Sequence, residues 1–156
     1  MKLIPKFSIL DITWGLFAIG AGALVVYLGD QLLGVKLEIF SGFNTYNIFW
    51  VLDLILVPFI AGLLVSFIYG LGGKILAHFS PLVIRVIEYY SLDQSSLHDG
   101  IAVLPLGFWI LVVIVTVEAA AAGGFVGEVV VKRTYGRSPR YLIHKKYQAE
   151  KPNSVD

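Results

Sequence analysis

Apolar positions fill four stretches of the chain, at about 12–33, 47–70, 73–92 and 101–131, and polar positions gather in the joints between them. A membrane-crossing helix needs about 20 predominantly apolar residues, and three of the stretches meet that length without a polar face. In 12–33 the run is interrupted only by Thr13, Asp30 and Gln31; Asp11 is placed to cap its start and Trp14 to anchor it at an interface. Lys2 and Lys6, followed by an apolar run containing Ala21 and Ala23, also have the layout of a secretory leader. The stretch 47–70 carries Asp53 and Pro58 and ends at Gly70, Gly72 and Gly73, where a chain reversal is expected. The stretch 101–131 would give about 46 Å of helix, longer than a bilayer core, so it must tilt or protrude.

The stretch 73–92 has a different pattern. Lys74, His78, Pro81, Arg85 and Glu88 follow one another in steps of four, three, four and three, which places them on one helix face. Apolar residues cover the remaining surface. Such a helix either crosses the bilayer with its ionic edge turned inward or lies in the interface. The expected fold is therefore an all-α integral membrane bundle of four transmembrane helices, with three crossings plus one interfacial amphipathic helix as the alternative. Residues 1–131 form the bundle, and 132–156 form a basic tail.

Composition supports the membrane reading: 57% of residues are hydrophobic and 15% are charged, far from the balance of a soluble domain. Charge placement favours four crossings. With both termini cytoplasmic, Lys2, Lys6, Lys74 and the seven basic tail residues lie inside against Lys36 outside, ten to one. Three crossings with a cytoplasmic tail leave eight inside and four outside. The localisation expected is a multi-pass membrane protein with both ends in the cytoplasm.

The four-crossing arrangement sets depths. Asp53 would lie about 9 Å below the outer surface and Arg85 about 10 Å below it, so the two can pair. Glu118, about 26 Å along the last helix, would reach the level of His78 and Lys74. Asp30 and Glu88 would fall near the outer surface, within reach of water. The intramembrane polar set Asp53, Lys74, His78, Arg85 and Glu118 is thus the candidate ion or proton pathway, with structural ion pairing as the plainer role for the same residues. Pro58 and Gly62 offer a possible helix break beside a cation site built on Asp53 and Glu118.

Ala119, Gly123 and Gly127 recur every four residues, with Ala120 and Gly124 in a parallel row. Small residues at this spacing admit another helix to close contact, either a partner's or one of the same chain, where Ala18 and Gly22 form a matching patch. In the tail, Lys132, Arg133, Arg137, Arg140, Lys145 and Lys146 alternate with tyrosines, a pattern suited to anionic lipid or a partner protein rather than nucleic acid.

Function classes are narrowed mainly by exclusion. Zero cysteines remove thiolate metal sites and thiol catalysis. His78, His98 and His144 would lie at three different levels, so no metal site or haem ligation is expected from them. No nucleophile elbow, phosphate loop or zinc-binding helix is present. The chain is expected to be non-enzymatic, without cofactor: a small subunit of a larger membrane complex joined through the last helix. The alternative is a homo-oligomeric ion or proton channel or transporter. A fainter role is accessory to a redox or quinone site at His98.

Overall fold

The computed structural model describes residues 9–92 and 101–135. It is mostly helical: α1 (Ile9–Leu33), β1 (Ile39–Phe40), a 3-10 turn (Gly42–Thr45), α2 (Ile48–Tyr69), α3 (Gly73–Ala77), α4 (Phe79–Ser91), β2 (Ala102–Val103) and α5 (Leu106–Tyr135). Three helices, α1, α2 and α5, are long and apolar enough to cross a membrane. Their outer surface is unlike that of a soluble bundle. Leu16, Phe17, Ile55, Ile60, Leu111 and Ile114 face outward, while Asp30, Glu38, Asp53, Ser66, Ser80, Arg85, Thr116 and Glu128 are buried. Apolar surface facing outward around an interior that includes charged groups is stable in lipid, where exposed hydrocarbon costs nothing. The three long apolar helices and the apolar outer surface support a transmembrane protein.

Local signals set the helix ends. Asn47 caps α2, its Oδ1 accepting from the Trp50 amide at 2.9 Å. At the other end Gly70 (φ 82°) and Gly72 (φ 94°) occupy backbone conformations that disfavour a side chain, which lets the chain reverse within three residues. Glu128 stabilises the restart: its Oε1 accepts from the amides of Gly72 at 2.7 Å and Lys74 at 3.2 Å, placing an acid at a helix N-terminus. The α3 helix stops at Ala77 because Pro81 lacks the N–H that would bond that carbonyl. His78 keeps helical backbone angles (φ −61°, ψ −32°), so α4 continues where α3 ends.

Together α3 and α4 traverse the bundle. Gly72 bonds Glu128 near one end of α5, and the ring of Tyr89 lies 4.4 Å from that of Trp109 near the other. Positions 109 and 128 of α5 are separated by about 28 Å of helix. Along the way Gly73 packs on Ser66 and Gly22 packs on Ser80. The outward face of α4 is apolar, with Phe79, Val83, Ile87 and Tyr90 exposed, and its inward face is Ser80, Pro81 and Arg85.

The most extensive helix pair is α2 with α5. These helices are parallel: Trp50 and Trp109 share one apolar cluster at one end, and Ser66 packs on Gly127 toward the other. The pair touches backbone to backbone, since a Cβ at Gly62 would stand 1.9 Å from the Ala120 carbonyl oxygen, and one at Gly123 1.9 Å from that of Phe59. The α2 helix runs unbroken through Pro58; the expected break is not there.

The last stretch differs from expectation at its start. Ala102 and Val103 pair antiparallel with Phe40 and Ile39, the Leu104 amide donates to the Glu38 carbonyl at 2.8 Å, and the helix begins only at Leu106. This short ladder folds the 34–47 joint down over the end of the bundle. Leu37 and Glu38 are consequently buried, and Leu37 joins Trp50, Leu104, Trp109, Val112 and Val113 in a cluster that seals that end.

Candidate functional site

Beneath that seal, four carboxylates converge on one guanidinium. Arg85 projects from α4 with no solvent exposure. Its Nη1 donates to Glu38 Oε1 at 2.9 Å and to Glu88 Oε2 at 3.1 Å, and its Nη2 donates to Asp30 Oδ1 at 2.5 Å. Asp53 Oδ2 stands 3.9 Å from Nη2, in ion-pair contact but without a hydrogen bond. The acids come from separate elements: Asp30 from the last turn of α1, Glu38 from the folded-down joint, Asp53 from the second turn of α2 and Glu88 from α4. A planar guanidinium with its fork of donors is suited to such a meeting point.

Water is largely excluded. The side chains of Asp30, Glu38 and Asp53 are 3%, 1% and 0% exposed, and that of Glu88 is 23% exposed. Glu88 and Glu38 border a cavity of about 220 Å³, whose other walls include Tyr27, Gln31 and Lys36. The buried atoms without a hydrogen-bond partner include both oxygens of Asp53, Oδ2 of Asp30 and Nε of Arg85. Among the described residues no group of three or more His, Cys, Asp or Glu side chains could hold a metal ion.

The expected residues are distributed unequally. Asp53 and Arg85 do meet. Asp30, expected at the water-facing surface, is instead buried at 4% exposure, because the joint after α1 closes over it. Lys74 and His78 lie toward the opposite end, beside Gly124 and Glu128. The His78 ring donates through Nδ1 to the Lys74 carbonyl at 2.8 Å. Glu118 does not join them; its side chain is exposed on the outer face of α5, and the acid that serves that end is Glu128. Hence the described residues contain no continuous line of ionisable side chains from one end of this chain to the other.

The small-residue rows are occupied within the chain. Gly123 packs on Phe59, Ala120 on Gly62, Gly124 on Lys74 and Ala77, and Gly127 on Leu63 and Ser66. Ser66 adds a hydrogen bond from Oγ to the Gly124 carbonyl at 2.7 Å. Ala119 is partly exposed beside the rows. Ala18 and Gly22 serve other neighbours, Ala18 packing with Val65 and Ala77 and Gly22 with Ser80 and Val65. Lys132 and Arg133 are exposed at the end of α5; Arg137, Arg140, Lys145, Lys146, His98 and His144 lie outside the described residues.

Glu38 was not singled out by sequence reasoning, and no sequence signal points to it. Its spacing from Arg85 carries no periodicity, and only the ladder with 102–103 brings it inward. Glu88 stands three residues from Arg85, a spacing that could have suggested their pairing. Comparison with protein-family models, characterised proteins and solved structures yields no match.

Proposed function

We propose that the chain is a non-catalytic subunit of a larger membrane assembly, crossing the bilayer four times and receiving a helix of another subunit on the outer face of α5. One observation carries this reading: Glu118 is exposed midway between Trp109 and Glu128, on a face otherwise formed by Ile114, Val115, Ala122 and Phe125. An ionisable side chain at the centre of a crossing helix costs about 2.5–3.5 kcal/mol on insertion scales. A helix from another subunit, bearing a hydrogen-bond donor or a basic group at that depth, offsets this cost. Ala122 beside Glu118 leaves room for its close approach.

The fourth crossing has support of its own. An interfacial helix turns its polar face to headgroups and water, whereas α4 turns its polar face to the bundle and its apolar face outward. The ten-to-one basic bias then puts both termini, Lys132 and Arg133 in the cytoplasm, with the Arg85 cluster near the far surface. The conduction alternative draws on Asp53 and Arg85 alone, since Lys74, His78 and Glu118 stand apart from them.

A photo-crosslinking residue at Ala122, introduced in native membranes, tests the subunit reading. Crosslinking to a second polypeptide, lost on Glu118→Leu substitution, is the expected result. Labelling of lipid alone would overturn the proposal.

A further inference from the structure

The Arg85 cluster holds more acid than its one cation can satisfy. Two Arg85 nitrogens supply all three hydrogen bonds to the carboxylates, and these go to Asp30, Glu38 and Glu88. Asp53 receives none, although it is completely buried and faces the guanidinium. A buried carboxylate without a donor is strongly unfavourable. Asp30 and Asp53 face the same guanidinium nitrogen, Oδ1 of Asp30 standing 2.5 Å and Oδ2 of Asp53 3.9 Å from Nη2 of Arg85. Oδ2 of Asp30 is itself an acceptor without a donor. One proton therefore repairs two orphaned groups at once: an O–H on one carboxyl donates to the free oxygen of the other.

We propose that Asp30 and Asp53 hold one proton between them, exchanging it with water through the cavity bordered by Glu38 and Glu88, so that this end of the bundle is a proton-binding site. The proton arrives from hydronium and returns to water, and no covalent bond other than O–H is made or broken. Every element packed around the pair contributes to its field or its insulation. The joint supplies Glu38 and Lys36, and α4 supplies Arg85, Glu88 and the Tyr89 ring. The α5 helix contributes Trp109, Val112 and Val113, which cluster with Leu37 of the joint and Trp50 of α2. Glu88, partly exposed, stands between the buried acids and the cavity, where it can pass the proton inward. Lys36 on the cavity wall offsets one of the two negative charges that remain.

The test is infrared spectroscopy of the full chain in lipid vesicles near neutral pH, in light and heavy water. A protonated-carboxyl carbonyl band, shifted by deuteration, is expected in the native protein. The band should be lost in both Asp53→Asn and Asp30→Asn and retained in Glu118→Gln, which separates it from the acid on the outer face. In Glu88→Gln the band should remain but exchange deuterium more slowly. Absence of the band from the native protein would overturn the proposal, as would its survival in either Asp→Asn variant or its loss in Glu118→Gln. Unchanged exchange in Glu88→Gln would overturn the route. Should neither Asp→Asn variant assemble, Glu38→Gln and Glu128→Gln decide together with Glu118→Gln and Glu88→Gln: the band should persist in all four, and its loss in any one would overturn the proposal.

Discussion

Arg85 Nη1 donates to Glu38 Oε1 at 2.9 Å, joining the middle of a traversing helix to a joint folded over the end of the bundle. The bond fixes where the joint sits, and through the joint it fixes how Asp30 is covered. Removing the guanidinium leaves four carboxylates facing one another without a cation. Arg85→Met should destabilise the bundle by about 3–5 kcal/mol, the usual cost of breaking a buried charge pair from one side. Arg85→Lys should recover only part of this, since an ammonium cannot span the three acids its two nitrogens now serve. Thermal unfolding in a fixed detergent checks both.

The α2–α5 contact should be intolerant of a single methyl. A Cβ on Gly123 would meet the Phe59 carbonyl oxygen at 1.9 Å, whereas one on Gly107 meets nothing within 4 Å. Gly123→Ala should cost about 1–3 kcal/mol through forced helix separation, and Gly107→Ala should be close to neutral. The same unfolding measurement separates them.

Glu128→Ala should loosen the reversal without unfolding the bundle. It removes the acceptor for the Gly72 and Lys74 amides, a loss of about 1 kcal/mol typical of a helix cap. Faster hydrogen exchange confined to the amides of 72–77 is the expected signature.

Substitution of Glu118 should act on assembly and leave the fold intact. Because its side chain is on the outer face, Glu118→Leu should preserve or raise the stability of the isolated chain by removing an insertion cost of about 2.5–3.5 kcal/mol. Any polypeptide that co-purifies in mild detergent should be lost. Unfolding midpoints and gel-filtration mass check the two parts.

The sequence made the helices legible because uninterrupted apolar runs at membrane length have few alternatives. It also made the Asp53–Arg85 meeting legible, since depth counted from helix ends needs only the rise per residue. Asp30 was placed at the surface by the same arithmetic, which takes no account of chain folding back over a helix end. Glu38 was hidden for a related reason: its burial follows from pairing between 39–40 and 102–103, two residues on each side and too short to leave a periodic pattern. The glycine rows announced close packing but not against which helix, because in lipid an internal and an external partner select the same small residues. His78 and Pro81 both fitted the helical stripe, and only the missing proline N–H shows where the hydrogen-bond ladder breaks.

In the four-crossing arrangement we propose, α3 and α4 carry the chain from one face of the membrane to the other with Arg85 concealed inside. The chain has no cysteine, so Lys74→Cys and Ser91→Cys give clean single labels at the two exposed ends of this run. An impermeant thiol reagent applied to sealed vesicles of known orientation should modify one position from outside and reach the other only after the vesicles are opened. Modification of both from the same side would contradict the traverse.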